Sequence, residues 1–371
     1  MLICGSTLFA VDSALSAAAR GYRTVLAMER TNPFIECIPG LRSHISSELN
    51  VSLSPVLNAI LSLHPVEEAN NRIYINPHKA ALLIEDLLIE AGVTFYYNAM
   101  PVSALVSDDT IRGAVFGGKP GMFAIEASVV LDCTLNAVIA RTAGAPTVPQ
   151  EGKRKATYSL ELTGKYPAST IAFSENGVSG RVGIHSFFAD VEVEIEEPEY
   201  GPLAYARDFG KVYKAAIAVL ERSGHPRFRG ADVYFSSGES RVDTSNGTVD
   251  GVRGLYVFGP MAIAGNRDGQ RVMRDPLVLH RHFAACADEC LTRGAERNPD
   301  VARSDYAVSC SLADHGAAVA GNASFVDPGY MAPGTEMSRI ALFDRIPALE
   351  TDLLIAGCGT SGVGAAVQAG R

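Results

Sequence analysis

The hydrophobic pattern at the start of the chain predicts a strand, a turn, a helix and a second strand. A short apolar run at 2–4 stops at Gly5, and the helix-favouring stretch 14–20 follows. After Gly21, a second apolar run leads to Glu29. This is the order of a dinucleotide-binding βαβ unit, in which an acidic residue after the second strand binds the ribose. An ordinary βαβ crossover with a surface glutamate at Glu29 would show the same order.

The glycine motif of this first turn is incomplete. A working GxGxxG motif needs its second glycine so that a diphosphate can approach the backbone. Counted from Gly5, the three positions hold Gly5, Thr7 and Ala10; counted back from Glu29, Leu8 takes the second position. A side chain there lies where the phosphate should sit. The sequence therefore predicts the fold, with only a weak signal for nucleotide binding at this turn.

The end of the chain carries a complete version of the same motif. An apolar run at 352–356 leads into Gly357, and Gly359 and Gly362 follow at the GxGxxG spacing before an alanine-rich stretch. Small residues here let N–H groups at the start of a helix face a diphosphate. The second strand and its acidic residue are not reached by Arg371, so we expect this to be a piece of a longer protein. A glycine-rich turn without a ligand is the alternative.

Two further helices are indicated by their capping residues. Asn76 is a preferred N-cap and Pro77 a preferred first helical residue. Apolar residues then recur at helical spacing until Gly92. Residues 275–276 repeat the cap-and-proline start, and we expect that helix to bury one apolar stripe and to end at Gly294.

Strands of two kinds are predicted. The continuous apolar runs 129–131 and 255–258 are typical of buried parallel strands. Residues 189–196 alternate apolar and acidic, which predicts a half-buried antiparallel strand whose acidic face is solvated. Residues 209–222 look helical. The segment 156–236 thus differs from its surroundings and is expected to be an inserted, mainly β domain.

Composition limits the possible functions. Of 371 residues, 47% are hydrophobic, as in ordinary globular proteins. The net charge of −9, from 32 Lys and Arg against 41 Asp and Glu, argues against a general nucleic-acid binder. The 7 cysteines form no CxxC pair, which favours free thiols in a reducing compartment. No apolar run reaches the about 18 residues of a membrane span. We expect a cytoplasmic protein, with secretion as a minority alternative because the first residues partly resemble a leader.

Five stretches of the sequence resemble FAD-dependent oxidoreductases of the glutathione-reductase-like superfamily, most closely the group similar to the flavin subunit of heterodisulfide reductase. They are 2–29, 76–96, 128–134 with 143–146, 238–241, and 254–259 with 270–273. The resemblance implies an α/β fold: a Rossmann-like FAD/NAD(P)-binding domain with an inserted, mainly β substrate or cap domain. It implies FAD as the cofactor, bound at Gly5, Glu29, Asp132 and Arg271. A small-molecule substrate is expected, and neither a nucleic acid nor a membrane.

The sequence departs from this family at four cofactor landmarks. The first turn lacks its glycines, no glycine pair follows Glu29, Leu135 stands near the missing glycine of the flavin strand, and 282–287 replaces a glycine-containing stretch. Together these departures indicate that the first module keeps the fold and has weakened or lost FAD. FAD is then expected at the module opened by Gly357, where NAD is an alternative because both cofactors use that fingerprint.

No catalytic motif stands out, as is common where a flavin carries the chemistry. His185 is a weak candidate for a general acid, and a structural histidine is the more frequent case. His280 and His282 are two residues apart on a predicted helix and make a poor metal pair. Cys286 and Cys290 share a helix face, where core packing is favoured over metal or redox use. No metal site is predicted.

These observations predict one discontinuous Rossmann-like domain, 1–155 with 237–295, interrupted by the cap domain 156–236. Residues 296–350 are rich in Gly, Pro, Ser and Asp and look like a linker, and 351–371 begin a second dinucleotide-binding module. Two functions remain open. One is an FAD-dependent oxidoreductase of unknown substrate; the other is a non-catalytic scaffold that has lost its cofactor and pairs with a downstream flavin module.

Overall fold

A computed structural model describes residues 1–38, 44–46, 50–63, 72–119, 121–149, 154–163, 178–179, 185–195, 214, 228–236, 241–263, 275–297, 308–310, 355, 357 and 359–370. Its helices are α1 (Leu8–Ala19), α2 (Pro55–Ser62), α3 (Pro77–Glu90), α4 (Val138–Thr142), α5 (Val278–Arg297) and α6 (Thr360–Ala369). Two short 3-10 helices are Val51–Leu53 and Pro260–Ala262. The first ten strands are β1 (Leu2–Cys4), β2 (Val25–Ala27), β3 (His44–Ser46), β4 (Arg72–Tyr74), β5 (Thr94–Tyr96), β6 (Met100–Ser107), β7 (Thr110–Gly118), β8 (Gly121–Glu126), β9 (Val130–Asp132) and β10 (Thr147–Val148). The others are β11 (Arg154–Thr163), β12 (Val178–Ser179), β13 (His185–Ile195), β14 (Phe228–Ser236), β15 (Arg241–Val242), β16 (Thr244–Ser245), β17 (Thr248–Val249), β18 (Leu255–Val257) and β19 (Val308–Cys310).

A seven-stranded sheet organises the nucleotide-binding fold. Its order is β16-β17-β18-β9-β1-β2-β5, and the five strands from β18 to β5 are parallel. Ile3 of the central strand is in register with Leu26 on one side and Leu131 on the other. The chain runs first to one side of β1 and then to the other. The carboxyl ends of β1 and β9 therefore meet at a topological switch point, where ligands bind in open α/β sheets.

Helix α1 begins directly after β1 because Thr7 caps it. The Thr7 hydroxyl accepts a hydrogen bond from the N–H of Ala10 at 3.2 Å. Beyond the end of the helix, the Tyr22 hydroxyl donates to the carbonyl of Leu291 at 2.6 Å. That bond ties the end of α1 to α5, so both helices are fixed on the same sheet.

Helices α3 and α5 test the capping predictions. The Asn76 side chain accepts from the N–H groups of His78 and Lys79, which confirms the predicted start of α3. The stripe expected in α5, formed by Phe283, Ala284, Ala287, Cys290 and Leu291, is buried at four of these positions and half-buried at Ala284. The prediction that Gly294 ends this helix is wrong, because the helix continues to Arg297. A single glycine costs a helix only about 1 kcal/mol, which packing can offset.

Antiparallel sheets complete the structure. Strands β19, β8, β7 and β6 form one four-stranded sheet, and β12, β13, β11 and β14 form another. The second lies within the segment predicted as a cap, and its strand β13 covers nearly all of the alternating stretch. The predicted α/β fold, with a parallel Rossmann-like sheet and a separate antiparallel sheet, is therefore confirmed. The exact domain boundaries, 1–155 with 237–295, 156–236, 296–350 and 351–371, stay a prediction, although β15 to β18 do return to sheets begun before residue 150.

Some expected elements fall on residues outside the described part of the chain. The helix expected at 209–222 is described only at Lys214, and the run 352–356 only at Ile355. Within the described helices, none is both long and apolar enough to cross a membrane.

Candidate dinucleotide site

The turn after β1 fits tightly against β9. Gly5 has a φ of +137°, and a Cβ there would lie 2.5 Å from the carbonyl oxygen of Cys133. Glycine is therefore required at this position for both backbone conformation and space. The N–H of Gly5 donates to the carbonyl of Ala27 at 2.9 Å, which holds the turn between its two neighbouring strands. The role of Gly5 as the turn glycine of a βαβ unit agrees with this geometry.

The rest of that turn is closed from solvent. Ser6, Thr7 and Leu8 each have no exposed surface. The Ser6 hydroxyl accepts from the N–H of Arg30 at 3.2 Å, and the Ser6 carbonyl accepts from the N–H of Ile35 at 2.9 Å. The turn is thus covered by the segment 30–38 that follows the second strand. A diphosphate has no free approach to this backbone while that segment stays in place.

A carboxylate from the covering segment occupies the start of α1. The N–H of Leu8, the first residue of the helix, donates to both oxygens of Glu36, at 3.2 and 3.1 Å. Glu36 is 3% exposed. Burial raises the pKa of its carboxyl to about 8, an effect that the bond from Leu8 only partly offsets. The helix N-terminus, which normally attracts an anionic ligand, is therefore already paired with a protein side chain.

Hydrophobic packing reinforces this closure from the other side of α1. Phe9 is 3% exposed, and its ring centroid lies 6.0 Å from Phe258, 5.0 Å from His280 and 6.4 Å from Phe283, each in an edge-on arrangement. Phe9, which lies between the second and third positions of the fingerprint, is thus part of an aromatic cluster. His280 also places Nε2 2.8 Å from the carboxylate of Asp12, so its contacts are structural.

Glu29 lies at the end of β2, where the βαβ pattern places a ribose-binding acid. Its Oε2 is buried and has no hydrogen-bond partner among the described residues. Burial raises the pKa of Glu29 to about 7, which the nearby charge of Arg30 and the N–H of Leu135 offset only in part. An unpaired buried oxygen is costly unless a donor completes it, and ribose hydroxyls are donors of the right kind. Its ribose role stays a prediction.

Asp132 uses both of its oxygens within the protein. One accepts from the N–H and hydroxyl of Thr134, at 3.1 and 2.6 Å, and the other accepts from the N–H of Ala140 at 2.9 Å. Burial raises the pKa of Asp132, although these bonds act in the opposite direction. The residue thus fixes the turn between β9 and α4. Its predicted contact with a flavin stays a prediction.

The turn at the end of the chain has the opposite character. Gly357 has a φ of +108°, which only glycine adopts readily. A Cβ at Gly362 would lie 2.2 Å from the carbonyl oxygen of Gly357, so the third glycine lets the helix pack on the turn. A Cβ at Gly359 would meet no described atom within 4 Å. The three glycines therefore have the geometries that a diphosphate-binding turn requires, and Gly359 faces open space.

Several candidate residues are not brought to either turn by the described structure. His185 is on β13, and its side chain lies outside the described part, so its role as a general acid stays a prediction. Arg271 also lies outside the described residues. Burial raises the pKa of the Cys290 thiol to about 12, as expected for a core cysteine. No His, Cys, Asp and Glu side chains among the residues described form a group that could hold a metal ion.

Sequence reasoning missed Glu36. A signal for it does exist, because Glu36 is the one acidic residue within the apolar stretch 34–38. A carboxyl in such a stretch must be either exposed or paired in the interior. What the sequence does not show is the partner, since Leu8 lies 28 residues earlier in the chain.

Comparison with known proteins finds a family that matches part of this chain. Residues 40–219 match the FAD dependent oxidoreductase family. The match covers just under half of the chain and agrees with the prediction of an FAD-dependent oxidoreductase. The family's cofactor is FAD. The match begins after the first turn and ends before Gly357, so it tests neither turn. No curated protein sequence matches the chain.

Solved structures show the same fold at low sequence identity. The OxyS anhydrotetracycline hydroxylase from Streptomyces rimosus aligns over 81% of this chain and 64% of its own, with a TM-score of 0.50 and 10% identity. An aklavinone-11 hydroxylase, solved with FAD and aklavinone, aligns over 80% of this chain and 62% of its own, with a TM-score of 0.49 and 12% identity. The chain therefore spans less than two thirds of the length of these two proteins. The likeness to the first shows a shared fold and no more.

Proposed function

We propose that this chain is part of an FAD-dependent oxidoreductase that holds the diphosphate of FAD at the turn formed by Gly357, Gly359 and Gly362. The observation that carries this is the contrast between two turns. A Cβ at Gly359 would meet no described atom within 4 Å, whereas Thr7 and Leu8 are buried in the corresponding turn at the start of the chain. The family match supports FAD as the dinucleotide.

The residues at the second turn fit this group. The extended backbone at Gly359, with φ −68° and ψ 176°, leads directly into α6, so N–H groups at the start of the helix are next to the open space. Gly357 and Gly362 keep the turn compact. When bound, FAD supplies the redox chemistry, and the protein supplies orientation and electrostatic environment. This turn's part is to bind and orient the dinucleotide.

NAD would use the same three glycines, and we favour FAD because of the family that residues 40–219 match. The scaffold alternative, a module without any cofactor, finds no support in that match. We keep the finer resemblance, to glutathione-reductase-like proteins and the flavin subunit of heterodisulfide reductase, as a proposal that rests on the sequence stretches given above. A small-molecule substrate and pairing with a downstream flavin module are proposed on the same basis.

Titration of the full chain with FAD, followed by quenching of flavin fluorescence, tests the proposal. Gly359→Val should weaken FAD binding by at least about tenfold, because its branched side chain fills the space that the diphosphate needs. The fold should tolerate it, since a Cβ at Gly359 meets no described atom within 4 Å. Gly364→Val is the matched control: this residue is inside α6, and a Cβ there also meets no described atom within 4 Å.

The FAD titration has one result that supports the proposal and two that contradict it. Weak binding in Gly359→Val alone supports the proposal. Equal affinity in the parent chain and Gly359→Val would show that the diphosphate lies elsewhere, and a parent chain that neither purifies yellow nor quenches added FAD would refute the proposal. A parallel titration with NAD distinguishes the two dinucleotides.

A further inference from the structure

The start of α1 carries the contact that a βαβ unit normally makes with its ligand. In such units the diphosphate lies against the first N–H groups of the helix after the first strand. Here the N–H of Leu8 donates to both carboxyl oxygens of Glu36, and the carboxyl also accepts a hydrogen bond from its own backbone N–H. Glu36 thus presents two oxygens at the position where a phosphate would present its own.

The segment that carries Glu36 is built to hold it there. Phe34 is fully buried with a φ of 55°, a left-handed conformation that is unfavourable for a bulky residue. Its carbonyl accepts from the N–H groups of Cys37 and Ile38, both at 3.0 Å, so the chain forms a tight turn around Glu36. The N–H of Ile35 is bonded to Ser6 in the first turn itself. These contacts hold the Phe34 backbone in its unfavourable conformation, and the resulting turn places the Glu36 carboxyl against the start of α1.

We propose that Glu36 is the protein's own replacement for the diphosphate, so that the amino-terminal βαβ unit is closed to dinucleotides by an internal carboxyl. The closed state explains why Thr7 and Leu8 are tolerated in the turn: no ligand needs to approach their backbone. It also separates this unit from the turn at Gly359, which has no covering side chain among the described residues.

The acidic side chains near Glu36 also make the first turn unfavourable for a diphosphate. The charge of Glu29 contributes to the raised pKa of Glu36. Asp12, on α1, contributes in the same direction. A diphosphate that entered beside these groups would meet like charge. The closed turn is therefore suited to a carboxyl that can hold a proton and poorly suited to an added polyanion.

Anion rescue of a Glu36 variant tests the proposal. Glu36→Ala should lower the melting temperature, because the N–H of Leu8 loses its acceptor. Inorganic pyrophosphate or ADP at millimolar concentration should then raise the melting temperature of Glu36→Ala by several degrees. The parent chain and Glu36→Gln should show no such rise, because a side-chain oxygen still fills the site. All three chains also carry Gly359→Val, which should block anion binding at the Gly357–Gly362 turn. Any rise in melting temperature then reports binding at the first turn, whether or not the proposed function is correct.

A second measurement applies even where Glu36→Ala does not fold. Hydrogen exchange at the Leu8 amide of the chain carrying Gly359→Val alone should be slow and unchanged by pyrophosphate. A change in Leu8 protection on adding pyrophosphate, or a rise in melting temperature of that chain equal to the rise in Glu36→Ala, would overturn the proposal. So would a folded Glu36→Ala chain that does not respond to either anion.

Discussion

The buried carboxyl of Glu36 should make the stability of the protein fall as pH rises. Glu36 is 3% exposed, and burial raises its pKa to about 8 from an ordinary value of 4.5. The folded protein therefore holds the proton more tightly than the unfolded chain does. The resulting stabilisation is fully present below pH 4.5, and it is lost as the pH rises through this window towards about 8.

The expected size is large enough to measure. One carboxyl that is protonated in the folded state and ionised in the unfolded state gives a slope of roughly 1.4 kcal/mol per pH unit. Across the window from 4.5 to about 8, this corresponds to about 5 kcal/mol for Glu36. Glu29 contributes with the same sign, but its pKa is about 7, so its contribution is complete at a lower pH. Between pH 7 and 8 the slope combines the Glu36 contribution with an opposite one from the Met1 amino group, whose pKa burial lowers from 8.0 to about 6.

Urea unfolding followed by circular dichroism, from about pH 5 to about pH 8.5, measures this slope. Glu36→Gln keeps an oxygen acceptor for the N–H of Leu8 and removes the titrating proton. The slope of stability against pH between pH 7 and 8 should therefore be more positive in Glu36→Gln than in the parent chain, and the difference between the two slopes is the Glu36 contribution. Glu90→Gln, at the exposed end of α3, is the matched control and should keep the parent profile. A Glu36→Gln chain that loses stability as steeply as the parent in this interval would refute the reasoning.

Two further predictions concern the groups that fix the turn. Phe9→Ala should cost about 3–5 kcal/mol in urea unfolding, because it empties a site enclosed by three rings; a loss below about 1 kcal/mol would show that the cluster does not hold the turn. Asp132→Ala leaves three buried donors without an acceptor and should cost at least about 3 kcal/mol, whereas Asp132→Asn, which restores one acceptor oxygen, should cost less. Equal losses in the two Asp132 variants would argue against the hydrogen bonds as the source.

Local signals in the sequence predicted most of the nucleotide-binding fold. Asn76 and Pro77 located the start of α3 because capping depends on residues next to each other. The apolar runs at 2–4 and 24–28 located β1 and β2 for a similar reason. The start of α1 was harder: the predicted helical stretch began at residue 14, whereas the helix begins at Leu8. Apolar residues next to a glycine turn do not show where the turn ends and the helix begins.

The closed state of the first turn was only half predictable. Thr7 and Leu8 indicated from sequence that a diphosphate would be crowded out, and their complete burial agrees with this. The sequence could not show which group takes the place of the ligand, because Glu36 reaches Leu8 only after the chain has passed through β2 and turned back at Phe34. Such a contact depends on tertiary folding, and no periodicity or spacing records it.

The two turns also differ in what a ligand must displace. At Gly359, a dinucleotide would enter space that no described atom fills, so its binding free energy is opposed mainly by its own loss of freedom. At Leu8, it would have to displace the Glu36 carboxyl. Because this carboxyl is attached to the same chain, its effective concentration at the Leu8 N–H is of millimolar order or higher. Displacement would also expose the apolar residues Phe34 and Ile35, which are buried against the turn. A free dinucleotide at ordinary concentrations therefore competes poorly at the first turn, whereas no described atom competes with it at the second.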